Sequence, residues 1–284
     1  MAKVKATVHG AISLVNAIAT KKGATLGIEL KVEAIIETTQ GKGISIKSEN
    51  KSISSRLINK TIEKILSKKE IDENKIEVTL DSEIPTGYGL KSSSAISSAV
   101  SLACSKIFKP KLTDKQILLA GVDASIESKV SITGAYDDAC SCYYGGFNVT
   151  DNFKKNRIHM EKAPTNLIAV IFIPKNRKRG NLKNLKILSS VFENAWELAK
   201  KADYWNAMNI NGLATSAILN SDPKIIINLL EKGAYGASVS GNGPSIVAIT
   251  KKENESNIRK VFSALEGNVL VSKVNNKKAE VHEL

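Results

Sequence analysis

A strand, a glycine-rich turn and a small-residue helix follow one another without interruption in the first half of the chain. Ile76-Glu77-Val78-Thr79-Leu80 alternates apolar and polar residues, as a half-buried strand does. Pro85-Thr86-Gly87-Tyr88-Gly89-Leu90-Lys91-Ser92-Ser93-Ser94-Ala95 comes next. Ala95, Ala99, Leu102 and Ala103 then share one helical face, with Ile96, Val100 and Ile107 beside it, until Pro110 ends the pattern. Gly87 and Gly89 permit positive φ and close approach of the backbone. Successive N–H groups of such a turn can face one anion, and the helix directs the positive end of its dipole to the same point. The hydroxyls of Ser92, Ser93 and Ser94 can donate to phosphate oxygens, and one of them can ligate Mg²⁺. A serine-capped helix behind a tight turn is the plainer alternative. Two spaced glycines together with three serines favour the phosphate cradle. The chain has no G-x-x-x-x-G-K-[ST] loop and neither the His-Arg-Asp nor the Asp-Phe-Gly signature.

The chain of 284 residues can form one large domain or two intimate ones. Its 42% hydrophobic and 24% charged residues are ordinary for a soluble globular protein. No apolar run is long enough to span a membrane. The start, Met1-Ala2-Lys3-Val4-Lys5-Ala6, lacks the apolar segment of a secretion signal. Three cysteines, Cys104, Cys140 and Cys142, argue against a disulfide framework and for a cytoplasmic location. With only His9, His159 and His282 in the chain, the Cys140-x-Cys142 pair reads as small buried residues and not as a zinc site. The net charge of +13 raises nucleic-acid binding as an alternative. Against it, aromatic residues make up only 5% and the basic residues are scattered. The one dense cluster is Lys175-Asn176-Arg177-Lys178-Arg179-Gly180, read as a solvated loop or one lying near an anionic ligand. No nucleic-acid or membrane partner is expected, and monomer and homodimer both stay open.

The patterns predict a mixed α+β order. Strands are expected at 26–36, 76–80, 167–173, 235–240, 246–250 and 269–274, with residues 143–149 turning into another. Helices are expected at 53–68, from the serines to Pro110, from a Thr113 cap to Glu127, and at 188–201, 204–219, 223–231 and 257–265. A division into halves 1–155 and 156–284 is placed in the polar stretch after Asp151.

Three motifs together carry a family resemblance. Residues 84–95 resemble the ATP-binding motif of the GHMP kinase superfamily, which includes galactokinases and homoserine, mevalonate and phosphomevalonate kinases. Lys91 stands where the superfamily usually has Gly or Ser; it could reach a phosphate or point to solvent. Gly236-Ala237-Ser238-Val239-Ser240-Gly241-Asn242-Gly243-Pro244-Ser245 is similar to the superfamily's third motif, and could pack on the first loop or line the substrate site. Thr133-Gly134-Ala135-Tyr136-Asp137-Asp138-Ala139 resembles the segment that supplies a catalytic aspartate. Counting from Gly145 favours Asp138 and counting from Gly134 favours Asp137, so both are kept. One of the pair is expected to cap a helix starting near Ala139. Glu127, eleven positions before Asp138, has the spacing of the Mg²⁺-ligating glutamate of mevalonate kinases, and Ser93 is the other expected metal ligand.

The first segment narrows the resemblance. Thr7-Val8-His9-Gly10-Ala11-Ile12-Ser13-Leu14-Val15-Asn16-Ala17-Ile18-Ala19-Thr20, with Lys21-Lys22-Gly23-Ala24 after it, looks like the archaeal-type shikimate kinases. So do residues 80–95 with their lysine and triple serine, and the Asp137-Asp138 pair. The resemblance covers the whole chain. It implies a GHMP kinase-like α+β fold, in which an N-terminal α/β half with the ATP loop packs on a C-terminal ferredoxin-like half. It also implies ATP and Mg²⁺ as cofactors and transfer of a phosphoryl group to the 3-hydroxyl of shikimate. A small hydroxylated carboxylate needs one cation and several neutral donors. His9, Asn16, Thr20, Lys21, Ser240, Gly241 and Gly243 are the candidate substrate contacts. Lys5 and Lys22 are further candidate cations, and Arg177 and Arg179 suit a carboxylate better because a guanidinium forms two parallel bonds. Homoserine or pantoate kinase activity, or a binding protein without turnover, are the alternatives.

Overall fold

A computed structural model describes residues 2–50, 52–131 and 134–284. In chain order its elements are β1 (Ala2–Val15), β2 (Lys22–Gln40), β3 (Gly43–Ser48), α1 (Ser55–Ile65), α2 (Lys68–Glu73), β4 (Asn74–Ser82), α3 (Ser92–Phe108), α4 (Asp114–Glu127) and α5 (Tyr136–Tyr144). There follow β5 (Phe147–Asp151), β6 (Asn156–Glu161), β7 (Leu167–Pro174), α6 (Ser189–Lys200), α7 (Tyr204–Ile218) and α8 (Pro223–Glu231). The last are β8 (Gly236–Val239), β9 (Ile246–Lys251), α9 (Glu255–Phe262), β10 (Gly267–Lys273) and β11 (Glu280–Glu283).

The long strand β2 organises the first sheet. One side of it pairs with β1 along nearly its whole length. Its other side serves two neighbours in turn: residues 22–26 pair with β5, and residues 32–40 with β4. β3 extends β4 in parallel, β6 extends β5, and β11 adds to the outer edge of β1. Sheet membership therefore does not follow the 1–155 and 156–284 division, since both β6 and β11 lie in the first sheet.

The second sheet has the order β10-β7-β9-β8 and is antiparallel throughout. Helices α6 to α8 connect β7 to β8, and α9 connects β9 to β10. That β-α-β-β-α-β connection is the ferredoxin-like arrangement expected of this half.

Helix α3 sits at the centre of the first half. Thirteen of its side chains are buried, from Ser92 to Ser105. Its small residues make this possible: Ser97 comes so near Gly121 of α4 that a Cβ there would lie 3.0 Å from the Ser97 hydroxyl. Apolar residues of β1, β2, β4 and the helices α1, α3 and α4 form one core; Phe172, Phe192, Ile226 and Phe262 belong to a second core in the other half.

Candidate active site

The loop between β4 and α3 turns through three left-handed residues, Gly87 (φ +85°), Gly89 (φ +81°) and Lys91 (φ +66°), the last being the N-cap of α3. Gly89 cannot be replaced without movement, because a Cβ would lie 1.9 Å from the Ser240 carbonyl oxygen. The second glycine-rich turn braces this loop. The Ser245 hydroxyl donates to the Tyr88 carbonyl (2.6 Å) and the Ser240 hydroxyl to the Gly89 carbonyl (2.8 Å). The same turn also walls a cavity of about 270 Å³ with Gly241 and Asn242. Ser92, Ser93 and Ser94 at the start of α3, Asp137 and Asp138 of α5, and Arg179 line that cavity too.

Lys91 neither points to solvent nor stands free. Its left-handed backbone swings the side chain inward, where it is 5% exposed. The ammonium lies 3.0 Å from Asp138 Oδ1 and donates to Ser13 Oγ at 2.7 Å. Ser13 Oγ also accepts the Gly241 N–H, and the Ser13 N–H donates to Ser240 Oγ. One buried hydroxyl on β1 thus joins the loop, the aspartate partner and the second turn.

Helix α5 begins three residues before the expected Ala139, and its N-cap is the left-handed Ala135 (φ +50°). Neither aspartate is therefore the cap; both occupy the first turn, where the helix dipole favours them. Their surroundings differ. Asp137 is buried, and its Oδ1 accepts the Asn152 amide at 2.6 Å. Its backbone N–H donates to Asn152 Oδ1 and its carbonyl accepts the Thr25 hydroxyl. A Cβ at Gly23 would lie 2.3 Å from Asp137 Oδ2, which accounts for the glycine in Lys22-Gly23-Ala24. Burial, and then the neighbouring Asp138 charge, push the Asp137 carboxyl up to about 7, against the opposing pull of Lys91 and Asn152. Asp138, by contrast, is 17% exposed at the cavity and faces Lys91.

Several expected contacts fall elsewhere. The Glu127 carboxylate pairs with Lys64 of α1 at the surface and does not line the cavity. Ser125 lines it instead; two positions along a helix is a rotation of about 200°, so the two residues face opposite ways. His9 is partly buried on β1, its value lowered chiefly by burial, with Glu29 and Glu280 nearby and no place on the cavity wall. The Thr20 hydroxyl closes a local turn on Lys22, and Lys21 lies over the Phe153 ring at 5.0 Å. Lys22 pairs with Glu193 and Lys5 with Glu33. Asn16 does line the cavity, but its amide donates to the Gly241 carbonyl and its oxygen accepts the Ile18 N–H, so it is a strut. Gly243 belongs to the wall of a second cavity. Thr133 lies outside the described residues.

The basic stretch closes over the loop. Arg177 stacks on the Tyr88 ring at 4.8 Å, with its Nη1 3.3 Å from where a Gly87 Cβ would sit. Arg179 donates from Nη1 to the Asn242 carbonyl at 3.3 Å. Lys129 joins it on the cavity wall. Ser13 and Lys129, which line the cavity, and Asn152, which holds Asp137, are the residues at this place that sequence patterns do not pick out. A lone hydroxyl inside Ala11-Ile12-Ser13-Leu14-Val15 is the one available signal.

Known proteins fit this picture. The model of the GHMP kinases N terminal domain matches residues 56–146, and that of the GHMP kinases C terminal domain residues 182–268. A shikimate kinase of Methanothermobacter thermautotrophicus is 34% identical over 293 residues, covering 100% of both chains. One from Methanobrevibacter smithii is 37% identical over 281 residues, covering 94% of this chain and 95% of its own. Among solved structures, a homoserine kinase from Cytophaga hutchinsonii superposes with a TM-score of 0.77 at 21% identity, covering 99% and 98% of the two chains. The mevalonate kinase of Methanococcus jannaschii gives 0.75 at 17% identity, over 96% and 98%. These two likenesses speak for the fold, whereas the two shikimate kinases match the chain from end to end at above 30% identity. The chain belongs to the GHMP kinases and, within them, to the family of archaeal shikimate kinases.

Proposed function

We propose that the chain transfers the γ-phosphoryl group of ATP to the 3-hydroxyl of shikimate, with Mg²⁺, giving 3-phosphoshikimate and ADP. The observation that carries this proposal is the ion pair of Lys91 and Asp138, placed on one cavity wall between the serine-rich start of α3 and the first turn of α5. Loop N–H groups and the hydroxyls of Ser92, Ser93 and Ser94 hold phosphate oxygens. Asp138 accepts the proton of the attacking hydroxyl or aligns that hydroxyl for in-line attack. Lys91 keeps the carboxylate oriented and offsets charge that builds on the transferring group. Asp137 is the holding residue of the pair, locked by Asn152 and Thr25.

Arg179 and Lys129 are the cations for the acceptor carboxylate, because both line the cavity and Lys21 does not. The residues present fit a metal held chiefly by phosphate oxygens, with Ser93 as its protein ligand. Mg²⁺ is commonly bound in this way, and among the described residues no cluster of three His, Cys, Asp or Glu side chains could hold an ion alone. Ser93 would hold Mg²⁺ beside the nucleotide, and the ion would supply positive charge to offset that on the transferring group. The proposal extends to two halves divided near residue 155 and to a cytoplasmic location; no helix among the described residues is long and apolar enough to cross a membrane. Arg177 and Arg179 each hold a contact to the glycine-rich turns, on the Tyr88 ring and the Asn242 carbonyl, which supports a role of the basic stretch beside the small-molecule site.

The test is ADP release, measured in a coupled assay with shikimate, homoserine, pantoate and mevalonate as acceptors. Shikimate should be turned over with far the highest kcat/KM. Preference for any other member of the panel would overturn the assignment.

A further inference from the structure

Behind the turn at residues 241–244 lies a second cavity of about 290 Å³. Its floor is apolar: Phe172, Val239 and Ile246 are buried, with Ile225 and Leu265 partly so. Four charged side chains border it, Lys178 and Arg179 against Asp222 and Glu266. Among the described residues none of the four belongs to an ion pair. Asp222 is engaged as the N-cap of α8, its Oδ1 accepting the Lys224 N–H at 2.9 Å, which leaves Glu266 as the anion facing the two cations. An apolar floor with unpaired charges of both signs complements a molecule that has an apolar body and carries both charges at one end. The volume is on the order of ten waters' share of the liquid, which suits about a dozen heavy atoms. Such pockets bind small ligands through apolar contact, with a few polar groups fixing orientation.

We propose that this cavity binds an apolar α-amino acid, its carboxylate on Lys178 and Arg179 and its ammonium on Glu266. Arg179 lines both cavities and donates to the Asn242 carbonyl in the wall between them. A carboxylate in the second cavity competes for that guanidinium, so occupancy raises KM for the acceptor in the first. This coupling rests on the proposed kinase reaction; the binding does not.

The experiment is calorimetric titration of the full chain with L-phenylalanine. One site per chain is expected. L-Phenylalaninamide, which lacks the carboxylate, and 3-phenylpropionate, which lacks the ammonium, should each bind roughly tenfold more weakly or worse, since each leaves charges on the rim unmatched. Ile225→Trp fills the floor and should abolish binding, while E266Q should weaken it; both should leave kcat unchanged. In the kinase assay, saturating L-phenylalanine should raise KM for shikimate in the wild type and not in I225W. No heat at millimolar amino acid overturns the site. An affinity for either half-charged analogue equal to that for L-phenylalanine overturns the mode of recognition, and binding that survives both variants overturns the location. Binding with KM unmoved overturns the coupling alone. Failure to turn over shikimate would instead defeat the kinase proposal and leave the titration as it stands.

Discussion

Replacing Lys91 by methionine keeps the length and apolar stem of the side chain and removes only the ammonium. At 3.0 Å and an effective dielectric of about 20, the attraction to Asp138 is on the order of 5 kcal/mol. Desolvation of the pair opposes part of this, and removing one partner of a buried pair typically costs about 3–5 kcal/mol. Loss of a single donor that stabilises a transition state costs about 2.7–4 kcal/mol. Taking the overlap, about 3–4 kcal/mol, kcat for phosphoryl transfer should fall roughly 10²- to 10³-fold. KM for ATP should change less than about threefold, because the ammonium faces Asp138 and Ser13. Lys91→Arg should not rescue the activity, because a planar guanidinium does not reproduce the compact contacts of the ammonium to both Asp138 and Ser13. The assay is coupled ADP release at saturating ATP and shikimate, beside a thermal melt that reports folding. A folded K91M enzyme with kcat within about threefold of the wild type would refute the role given to the pair. A selective rise in KM for ATP would place the lysine on the nucleotide instead.

The two aspartates should separate in the same assay. D138N should lower kcat about 10²- to 10⁴-fold with little change in KM for ATP; an unchanged kcat would remove Asp138 from the chemistry. Asp137 should show itself in stability. Its folded value of about 7 lies above the value near 3.9 expected of an open chain, so folding takes up a proton between the two. The contribution of this group is fully present below about pH 4 and is lost as the pH rises to about 7. Urea unfolding across that window should show a slope that D137N flattens relative to the wild type; identical slopes would rule the account out. Gly89→Ala combines positive φ with a collision at the Ser240 carbonyl, and should cost more than about 2 kcal/mol in unfolding free energy and abolish ATP binding. R177A removes a cation stacked on Tyr88 and should raise KM for ATP several-fold with kcat kept, since such contacts are worth about 0.5–2 kcal/mol.

Elements with strong periodicity or clear punctuation were legible in the sequence. Thr113 caps α4 with a complete capping box, and α8 begins at Pro223, as proline at a first helical position predicts. Strands β1, β3, β6 and β11 were not signalled. β1 alternates only in its first half and is then buried on both faces among Ala, Gly and Ser, so apolar periodicity carries no information there. At the site, local motifs carried the loop, the serines and the aspartates. Geometry that depends on distant pairing did not follow: β1 and the turn near residue 241 meet at Ser13, and no spacing rule connects them. The Glu127 expectation failed for a related reason. Its separation from Asp138 was matched, but the two lie on different helices, and α4 presents Ser125 to the cavity.

The hydroxyls of Ser240 and Ser245 hold two carbonyls of the first loop, across 151 residues of sequence in the case of Ser240 and Gly89. A peptide group is rigid and flat, so a pinned carbonyl also fixes the N–H on its far side. The N–H groups of Gly89 and Leu90 are thereby set in direction by the other half of the molecule before any phosphate arrives. The entropy of ordering the loop is lost once, when the chain folds, and not again at each encounter with a ligand. The loop and the turn form a single structural unit despite their distance in sequence. A chimaera that takes its loop from one relative and its turn from another could fold well and still hold nucleotide weakly.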